Sequence, residues 1–319
     1  MQEGLTIIIP VRNRANLIVR TLDSIAAGAQ LPRALFIVDN GSTDDTKEVC
    51  LHWIDTHRSL GMDTCFLEES RPGANIARNT GLSAVTTEWV YFFDSDDEFD
   101  VSFVADVTAA IRDSQTAQHD ITLFFTPSRQ EVQGRIQTRA YMSRICAATQ
   151  ILSAMLSTTT MVFKTSWLRT LGGWDEHLSI WQDWELGVRV AMAAPQVGWL
   201  TRRSYHLIHI HPDSITGAGY SQRCEAIRGT LRRVATEVEH DRRACRSLYL
   251  RSQIIAGKLL REGSGDTSIR AFARERSATV GTVVRFWGTL LRRYVALGGR
   301  GAWRIALWAV CNNGNVTEK

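Results

Sequence analysis

The stretch Trp89–Glu98, WVYFFDSDDE, runs from five apolar residues directly into an acidic cluster, and it decides the fold. A continuous apolar run of this length is typical of a strand buried on both faces of a parallel sheet. Ligands of open α/β sheets bind beyond the carboxyl ends of the strands. We therefore expect the cluster that begins at Asp94 to face a ligand crevice.

Strands alternate with helices on the N-terminal side of this stretch. The predicted elements are a strand at Leu5–Pro10 (LTIIIP), a helix at Ala15–Ala27, a strand at Ala34–Val38 (ALFIV), a helix at Thr46–Asp55, a strand at Thr64–Glu68 and a helix at Asn75–Val85. This rhythm predicts an α/β fold with a Rossmann-like, mostly parallel central sheet flanked by helices. Because Asp39 follows the second strand, it should face the same crevice as Asp94.

The later half of the chain mixes strand and helix patterns. Its predicted elements are strands at Ile121–Phe125 and Thr160–Phe163, a helix at Tyr141–Leu152 and a helix that begins near Asp183. From Gln222 onward helical patterns dominate. We therefore expect an α/β domain over residues 1–220 and a helical C-terminal extension over residues 221–319.

Composition narrows the class of protein. The formal net charge of +4 combines many charges of both signs, so no nucleic-acid partner is expected. The six cysteines lie far apart without a CxxC pair, which favours free thiols in a reducing compartment. The apolar N-terminal run is too short for a signal sequence, and arginines interrupt every C-terminal run that could span a membrane. We expect a cytoplasmic protein, with peripheral contact at the inner face of the cell membrane left open.

The acidic cluster predicts a divalent metal. Carboxylates crowded at one strand end repel one another unless a cation shares them. Mn2+ and Mg2+ take carboxylate oxygens and keep positions open for substrate phosphates, and the chain has no GxxxxGK phosphate loop. The alternative is a solvated acidic turn that caps a helix beginning near Val101.

Four motifs follow one another along the N-terminal half. They are Ile7–Asn13 (IIIPVRN), Val38–Thr46 (VDNGSTDDT), Gly73–Gly81 (GANIARNTG) and Asp94–Asp97 (DSDD). Together they resemble the inverting glycosyltransferases of family 2, which have the GT-A fold and a DxD motif, and the likeness covers roughly residues 4–215. It implies transfer of a sugar from a nucleoside diphosphate sugar, with a UDP-sugar favoured, to a hydroxyl of a glycan or lipid-linked saccharide in cell-surface polysaccharide synthesis.

The resemblance implies a nucleotide pocket at the first two strand ends. Asp39 would accept a hydrogen bond from the N3 proton of a uracil-like base, and Pro10, Arg12 and Asn13 would line the pocket. Many relatives have tyrosine where this chain has Arg12, and aspartate where it has Asn40. These departures put base stacking and the choice of nucleotide in doubt.

The remaining donor residues are also implied by the resemblance. Asp94, with Ser95 beside it, would contact the ribose or the donor sugar, and Asp96 would ligate the metal. Arg71 and Arg78 stand where relatives contact the base or the phosphates. A surface arginine and a helix salt bridge, respectively, are the alternatives for these two.

A second region resembles the family as well: Leu171–Glu176 (LGGWDE), followed by Trp181–Arg189 (WQDWELGVR). In relatives an acidic pair precedes a helix and its aspartate is the general base, which implies that role for Asp183. Here glutamine stands in place of the first acid, so the neighbouring charge is lost unless Glu185 compensates. The alternative for Asp183 is the N-cap of a helix over Trp184–Met192.

Glycines and tryptophans around this base suit a sugar-binding wall, because flat rings pack on the apolar face of a pyranose. Gly173, Trp174 and Trp181 are therefore predicted to bind the acceptor, with ordinary core packing as the alternative. In Tyr205–Pro212 (YHLIHIHP), strand alternation puts two histidines on one side. Relatives often place a histidine here to complete the metal or diphosphate site, which implies His211, or else His209, as a metal ligand beside Asp96.

The C-terminal third matches no motif. Within Val283–Leu297, apolar side chains follow helical spacing and arginines recur on another side. Such a helix could lie on an anionic membrane that holds lipid-linked acceptors. Packing on the catalytic domain, or on a second subunit of a homo-oligomer, is the alternative.

Two rival functions stay open from the sequence. A sugar nucleotidyltransferase would want a glycine-rich loop with a basic residue near the first strand, and this chain lacks one. A non-catalytic nucleotide-sugar-binding protein would keep the fold without turnover.

Overall fold

The secondary structure comes from a computed structural model, which describes residues 1–132, 134–138, 145–200, 204–209 and 219–312. The strands are β1 (Gln2–Val11), β2 (Ala34–Asp39), β3 (Asp63–Glu68), β4 (Thr87–Phe92), β5 (Leu123–Phe125), β6 (Ser128–Val132), β7 (Arg135–Thr138), β8 (Met161–Lys164), β9 (Val197–Trp199) and β10 (Tyr205–His209). The α-helices are α1 (Ile18–Ala26), α2 (Thr46–Thr56), α3 (Ala74–Ala84), α4 (Phe103–Thr116), α5 (Ala147–Ser153), α6 (Thr165–Thr170), α7 (Gln182–Met192), α8 (Cys224–Glu237), α9 (Arg242–Arg261), α10 (Ser268–Arg276), α11 (Thr282–Ala296) and α12 (Ala302–Asn312).

A seven-stranded sheet organises the N-terminal part, in the order β3-β2-β1-β4-β8-β5-β9. β1 lies in the interior of the sheet and pairs in parallel with both β2 and β4. Every residue of β1 from Leu5 to Val11 is buried, because helices cover both faces of the sheet. The mostly parallel sheet predicted from the sequence is therefore confirmed. β8 is the exception, since it pairs antiparallel with β4 and β5.

Helix α3 packs close against β1 and β2. A Cβ atom at Gly81 would lie 2.6 Å from Cγ2 of Ile8 and 3.1 Å from Cγ2 of Val38, so only glycine permits this approach. The close contact fixes α3 against β1 and β2. It thereby fixes the positions of Arg78 and Asn79, which lie on the same helix.

A small second sheet, in the order β10-β6-β7, supports the acidic segment that follows β4. Glu98 forms an isolated bridge with Leu207 of β10, with a 3.0 Å hydrogen bond from Glu98 N–H to the Leu207 carbonyl. The predictions contain neither β6 nor β7. Their side chains are largely polar and β7 is exposed throughout, so they lack the apolar alternation that marks a strand.

His206 is a fully buried histidine inside an aromatic cluster. Its ring lies 4.4 Å from Phe103, 4.6 Å from Phe99 and 4.9 Å from Phe93, measured between centroids. Nδ1 accepts a 3.1 Å hydrogen bond from Asp100 N–H, and Nε2 has no partner within the described residues. Burial lowers the pKa of His206 to about 3, because protonation would place an unpaired charge in an apolar site.

This burial predicts acid sensitivity. The unfolded chain takes up a proton near pH 6.5, whereas folded His206 does not until about pH 3. The stability linked to His206 is therefore complete above pH 6.5 and is lost as the pH falls. It should decrease by ~1.4 kcal/mol per pH unit, or ~2 kcal/mol between pH 6.5 and 5. Urea unfolding at pH 7 and pH 5 measures it.

The variant His206→Asn, whose side-chain oxygen can still accept the Asp100 N–H, should unfold with less pH dependence than the wild type. His240→Asn serves as the control, because the His240 side chain is 92% exposed. Equal pH dependence in His206→Asn and the wild type would contradict the prediction.

By internal contacts the chain divides into two compact units that are not continuous in sequence. The first comprises Met1–Tyr141, Leu156–His177 and Pro195–His211, and the second comprises Met142–Met155, Leu178–Ala194 and Pro212–Lys319. Helices α5 and α7 thus pack with the C-terminal helices, although both precede residue 220. The packing boundary therefore differs from the expected one, and the functional division at residue 220 stays a prediction.

Each unit has its own core. In the first, β1, β2 and β4 pack against α1, α2 and α4 around residues such as Ile7, Ile37 and Phe103. In the second, one core joins α5 and α7 to α8 and α9 around Trp184 and Leu248, and another joins α9 to α11 and α12. Among the described residues, no helix is both long enough and apolar enough to span a bilayer.

Candidate active site

The loops after β1 and β2 interlock around Asp39. One carboxylate oxygen of Asp39 accepts a 3.0 Å hydrogen bond from Ser42 N–H, and the other accepts from the Ser42 hydroxyl. Asn13 N–H donates to that hydroxyl at 2.9 Å, and Asn13 Oδ1 accepts from Thr43 N–H at 2.8 Å. Asp39 is thus held at the carboxyl end of β2 with unused lone pairs, since a carboxylate can accept about four hydrogen bonds.

Pro10 and Arg12, the other two predicted pocket residues, lie beside Asp39 and Asn13. Pro10 is buried in β1, in register with Val38 of β2. Arg12 follows the end of β1 and its side chain is exposed. The structure therefore brings Pro10, Arg12 and Asn13 to the same sheet edge as Asp39.

Asn40 explains one departure from the family pattern. Its amide nitrogen donates to the carbonyls of Glu69 (3.1 Å) and Arg71 (2.7 Å), and its amide oxygen accepts from Gly73 N–H at 2.7 Å. An aspartate could not donate to the two carbonyls. Asn40 therefore holds the loop that carries Arg71, which the sequence patterns did not reveal.

Arg71 and Arg78 have different surroundings. The Arg71 side chain is 59% exposed and pairs with Glu69 at 2.9 Å and Glu176 at 3.2 Å. The hydrogen bond from Arg71 is the main cause that lowers the pKa of Glu69 to about 2. Arg78 is buried and pairs with Asp94 at 3.0 Å, while its guanidinium lies 4.5 Å from the ring centroid of Trp174. A buried arginine is thus aligned with the first acid of the DxD motif.

The acidic loop after β4 contains three aspartates with different partners. Asp94 pairs with Arg78, and Asp96 lies 3.8 Å from Nε of Arg14. Asp97 accepts a 2.9 Å hydrogen bond from His209 N–H. Burial raises the pKa of Asp97, and the charges of Asp94 and Asp96 raise it further. This surplus of negative charge is the environment that a cation would stabilise.

The acidic loop after β4 suits a divalent metal that is held by few protein ligands. Among the described residues, no three His, Cys, Asp or Glu side chains converge as metal ligands. A site with one or two carboxylates, completed by substrate phosphate oxygens, is the usual way in which proteins hold Mg2+. The alternative, in which the acidic cluster caps the following helix, has less support. The carboxylate that accepts a hydrogen bond from Ser102 N–H, just before α4, is that of Asp100, which lies after the cluster. Ser95 lies buried between the two DxD acids.

Of the two candidate histidine ligands, only His209 lies within the described residues. His211 lies outside the described residues, so its role stays a prediction. In His209, Nε2 lies 2.9 Å from Glu98 Oε1 and Nδ1 lies 3.1 Å from Glu131 Oε2. Carboxylates thus engage both ring nitrogens, and His209 ties the acidic loop to the small sheet.

The glycine-tryptophan loop is held by Asn79 of α3. Asn79 Oδ1 accepts a 2.9 Å hydrogen bond from Trp174 N–H, and Asn79 Nδ2 donates to the Trp174 carbonyl at 2.9 Å. The Trp174 ring is only 2% exposed and meets Phe92 edge to face. The ring is therefore part of the core in this structure, which favours the packing alternative over an exposed sugar-binding wall.

A side chain at Gly173 would clash with Asn79. Gly173 has a φ of +63°, and a Cβ atom there would lie 2.6 Å from Asn79 Oδ1. Gly172 has a φ of +81° but no neighbour within 4 Å, so it is a matched control. Both alanine variants should incur backbone strain of ~1–2 kcal/mol.

Gly173→Ala should lose a further ~1–3 kcal/mol, because it displaces Asn79 from the Trp174 N–H. Denaturant unfolding of Gly172→Ala and Gly173→Ala measures the difference. Equal stabilities for the two variants would show that the Asn79 contact contributes nothing.

The predicted base lies in the second compact unit, in the first turn of α7. The helix begins at Gln182, and Trp181 is its N-cap with a φ of +55°. The alternative that Asp183 is the helix N-cap is therefore wrong: the Trp181 carbonyl already accepts from Glu185 N–H at 3.0 Å, so the helix starts earlier. Asp183 Oδ1 accepts from Trp184 N–H at 2.8 Å, a position where the helix dipole favours a carboxylate. Glu185 is buried and paired with Arg189 at 2.8 Å, so it does not replace the lost acid.

A half-buried arginine, Arg251, packs against this part of the unit. The Arg251 guanidinium lies 4.9 Å from the ring centroid of Trp181 and 4.5 Å from that of Trp184, and it donates to the Ile151 carbonyl at 2.8 Å. Burial lowers the pKa of Arg251 to about 10, and the negative charge of Asp183 partly offsets this effect. Arg251 lies in the C-terminal third, where no motif indicated it.

Residues 6–172 match the family described as Glycosyl transferase family 2. This segment is more than half of the chain, and it contains the interlocked loops and the acidic loop described above. The chain belongs to this family.

Curated relatives match parts of the chain. Glycosyltransferase GlyA of Streptococcus pneumoniae serotype 4 is 33% identical over 105 residues, which are 33% of this chain and 14% of the relative. Poly-beta-1,6-N-acetyl-D-glucosamine synthase of Staphylococcus aureus is 26% identical over 201 residues, covering 59% of this chain and 46% of the relative. The chain thus spans less than half of the length of these relatives.

Solved structures share the fold over nearly the whole chain. TarS 1-349 of S. aureus, in complex with UDP-GlcNAc, has a TM-score of 0.64 at 16% identity, covering 98% of this chain and 92% of that one. Mannosyltransferase PcManGT from Pyrobaculum calidifontis, in complex with GDP-Man and Mn2+, has a TM-score of 0.53 at 17% identity, covering 97% and 88%. With the family match, these structures confirm the predicted GT-A fold.

Proposed function

We propose that this chain is an inverting glycosyltransferase that moves a sugar from a UDP-sugar to a hydroxyl of a saccharide or lipid-linked saccharide in cell-surface polysaccharide synthesis. The observation that carries the proposal is the set of carboxylates at the carboxyl ends of two parallel strands that flank β1. Asp39 at the end of β2 and the Asp94–Asp97 loop after β4 lie at one edge of the sheet, within the family 2 segment. The names of two relatives agree, since one is a poly-N-acetylglucosamine synthase and another was solved with UDP-GlcNAc.

Donor binding would begin at Asp39. Its remaining lone pairs would accept the N3 proton of uracil, beside a pocket lined by Pro10, Arg12 and Asn13. A cytosine ring offers no proton at that position, so Asp39 would select for uracil. Its hydrogen bonds to Ser42 would keep the carboxylate oriented before the nucleotide arrives.

The diphosphate would lie toward the acidic loop. Asp94 would contact the ribose or the donor sugar, with Arg78 holding its carboxylate in place and Ser95 beside it. Asp96 would bind Mn2+ or Mg2+, with His211 as a second ligand. The metal, when bound, offsets the charge that develops on the diphosphate leaving group. Arg71 would contribute a further positive charge.

The reaction would be a single displacement. The acceptor hydroxyl oxygen attacks the anomeric carbon from the face opposite the diphosphate, and the bond from that carbon to the phosphate oxygen breaks. Asp183 takes the hydroxyl proton, and the nucleoside diphosphate leaves with the bonding electron pair. Gly173, Trp174 and Trp181 are the proposed acceptor-binding residues, with the Trp174 contribution limited by its burial.

A donor screen tests this function. Purified protein with Mn2+ would be incubated with UDP-, GDP- and dTDP-sugars, with and without saccharide acceptors, and nucleoside diphosphate release would be followed. We expect release from a UDP-sugar that stops when EDTA is added. Donor binding without release would indicate a non-catalytic binding protein, and formation of a sugar nucleotide from sugar phosphate would indicate a nucleotidyltransferase. Either outcome would overturn the proposal.

A further inference from the structure

Helix α11 has two apolar faces, and the described residues cover only one of them. Val284, Gly288, Leu291 and Val295 are buried, and this face packs on α9. A second face, called here the α11 outer face, consists of large exposed side chains of α11 and of Leu297 just after it: Val283 (52% exposed), Phe286 (64%), Leu290 (45%), Tyr294 (39%) and Leu297 (90%). Phe286 is more exposed than its neighbour Trp287.

The apolar surface continues onto α12. The Trp287 ring lies 5.4 Å from that of Trp308, and 6.0 Å from that of Phe286, measured between centroids. Trp308 is itself 53% exposed. Contiguous exposed apolar surface of this kind marks an interaction site more often than scattered exposed residues do.

The segment that carries the α11 outer face has charges of one sign. Residues 276–312 contain six arginines and neither aspartate nor glutamate. Arg285, Arg293, Arg300 and Arg304 are exposed. Arg292 does not belong to this exposed basic surface. It is half-buried and donates a hydrogen bond to Gln253.

The exposed apolar side chains and the arginines together indicate which kind of surface could cover the α11 outer face. A second copy placed face to face would bring two sets of arginines together without acids to offset them, and like charges at an interface are costly. An anionic bilayer offers apolar chains and negative headgroups at once. Aromatic and leucine side chains enter the headgroup boundary while arginines pair with phosphates, as in interfacial amphipathic helices.

We infer that the α11 outer face, with Trp308, is a docking surface for an anionic phospholipid bilayer. Binding through this face requires neither donor nor turnover, so it goes beyond the proposed function and can fail independently of it. Residues Phe286 and Leu290 supply apolar insertion, and the exposed arginines supply attraction. Each exposed arginine near the surface should contribute about fivefold in affinity.

Vesicle sedimentation of the full chain tests the inference. The probes are phosphatidylcholine vesicles and phosphatidylcholine vesicles that contain phosphatidylglycerol. The wild type should bind the second kind and bind the first at least about tenfold more weakly. Leu290→Glu and Phe286→Glu should each reduce binding at least about tenfold. The matched control is Leu51→Glu on α2, because Leu51 is 44% exposed and Leu290 is 45% exposed.

Three outcomes would overturn the inference. One is the absence of vesicle binding by a wild-type protein with native circular dichroism. Another is equal binding to both kinds of vesicle. The third is concentration-dependent self-association that Leu290→Glu abolishes while vesicle binding is unchanged. Arg293→Glu, which leaves the apolar side chains intact, should weaken binding to anionic vesicles only, and failure to do so would likewise count against it.

Discussion

Replacing Asp183 with asparagine should lower the turnover number by roughly 10²–10⁴-fold, the usual contribution of a general base. Asparagine can still accept the hydrogen bond from Trp184 N–H that Asp183 Oδ1 accepts now, so α7 should keep its first turn. What it loses is the ability to take a proton from the acceptor hydroxyl. The Michaelis constant for the donor should change little, because the base is proposed to act on the acceptor. Rates of nucleoside diphosphate release with acceptor present measure both quantities.

The matched control is Glu225→Gln. Glu225 also lies in the first turn of a helix of the second compact unit, and it is exposed and pairs only with nearby Arg228 among the described residues. The Glu225→Gln substitution removes one negative charge from a helix N-terminus without changing a residue of the proposed site. Wild-type turnover is expected for this variant. Undiminished turnover in Asp183→Asn itself would remove Asp183 from the mechanism.

Asp96→Asn should produce the other large loss, roughly 10²–10³-fold in turnover at fixed Mn2+. A neutral amide is a poorer ligand for a hard cation than a carboxylate is. The half-saturating Mn2+ concentration should therefore rise, and added metal should restore part of the activity. Turnover measured across a Mn2+ series separates this effect from a general loss of folding.

Asp63→Asn is the control for Asp96→Asn. Asp63 begins β3, at the opposite end of the parallel strands, and pairs with Arg33 at 3.1 Å. It should leave both turnover and Mn2+ dependence unchanged. An unchanged Mn2+ dependence in Asp96→Asn would mean that another residue binds the metal.

The parallel half of the fold could be predicted because each of its strands is indicated by a short, continuous stretch of sequence. Apolar runs such as Leu5–Pro10 and Trp89–Phe93 have few stable placements other than the middle of a covered sheet. The residues that follow such strands then share one edge, which placed Asp39 and Asp94 correctly relative to the sheet. The direction of β8 could not be predicted, because the same apolar run suits a parallel or an antiparallel neighbour.

Parts of the candidate site depend on contacts between residues distant in sequence. Asn40 holds a loop that begins near Glu69, and Asn79 holds the loop at Trp174. An asparagine in a motif does not reveal which backbone it will bond. The burial of Trp174 has the same origin, since a tryptophan beside glycines suits a sugar or a core equally well until its neighbours are known.

The interleaved packing has a consequence for engineered chimeras. Helix α7 precedes residue 220, yet Trp184 and Val188 on it share a core with Leu231 and Leu248, which come after that residue. A graft that exchanges only the last hundred residues between relatives would leave this core half native and half foreign. Recombination that respects the architecture would have to transplant α5, α7 and everything after residue 212 as one cassette.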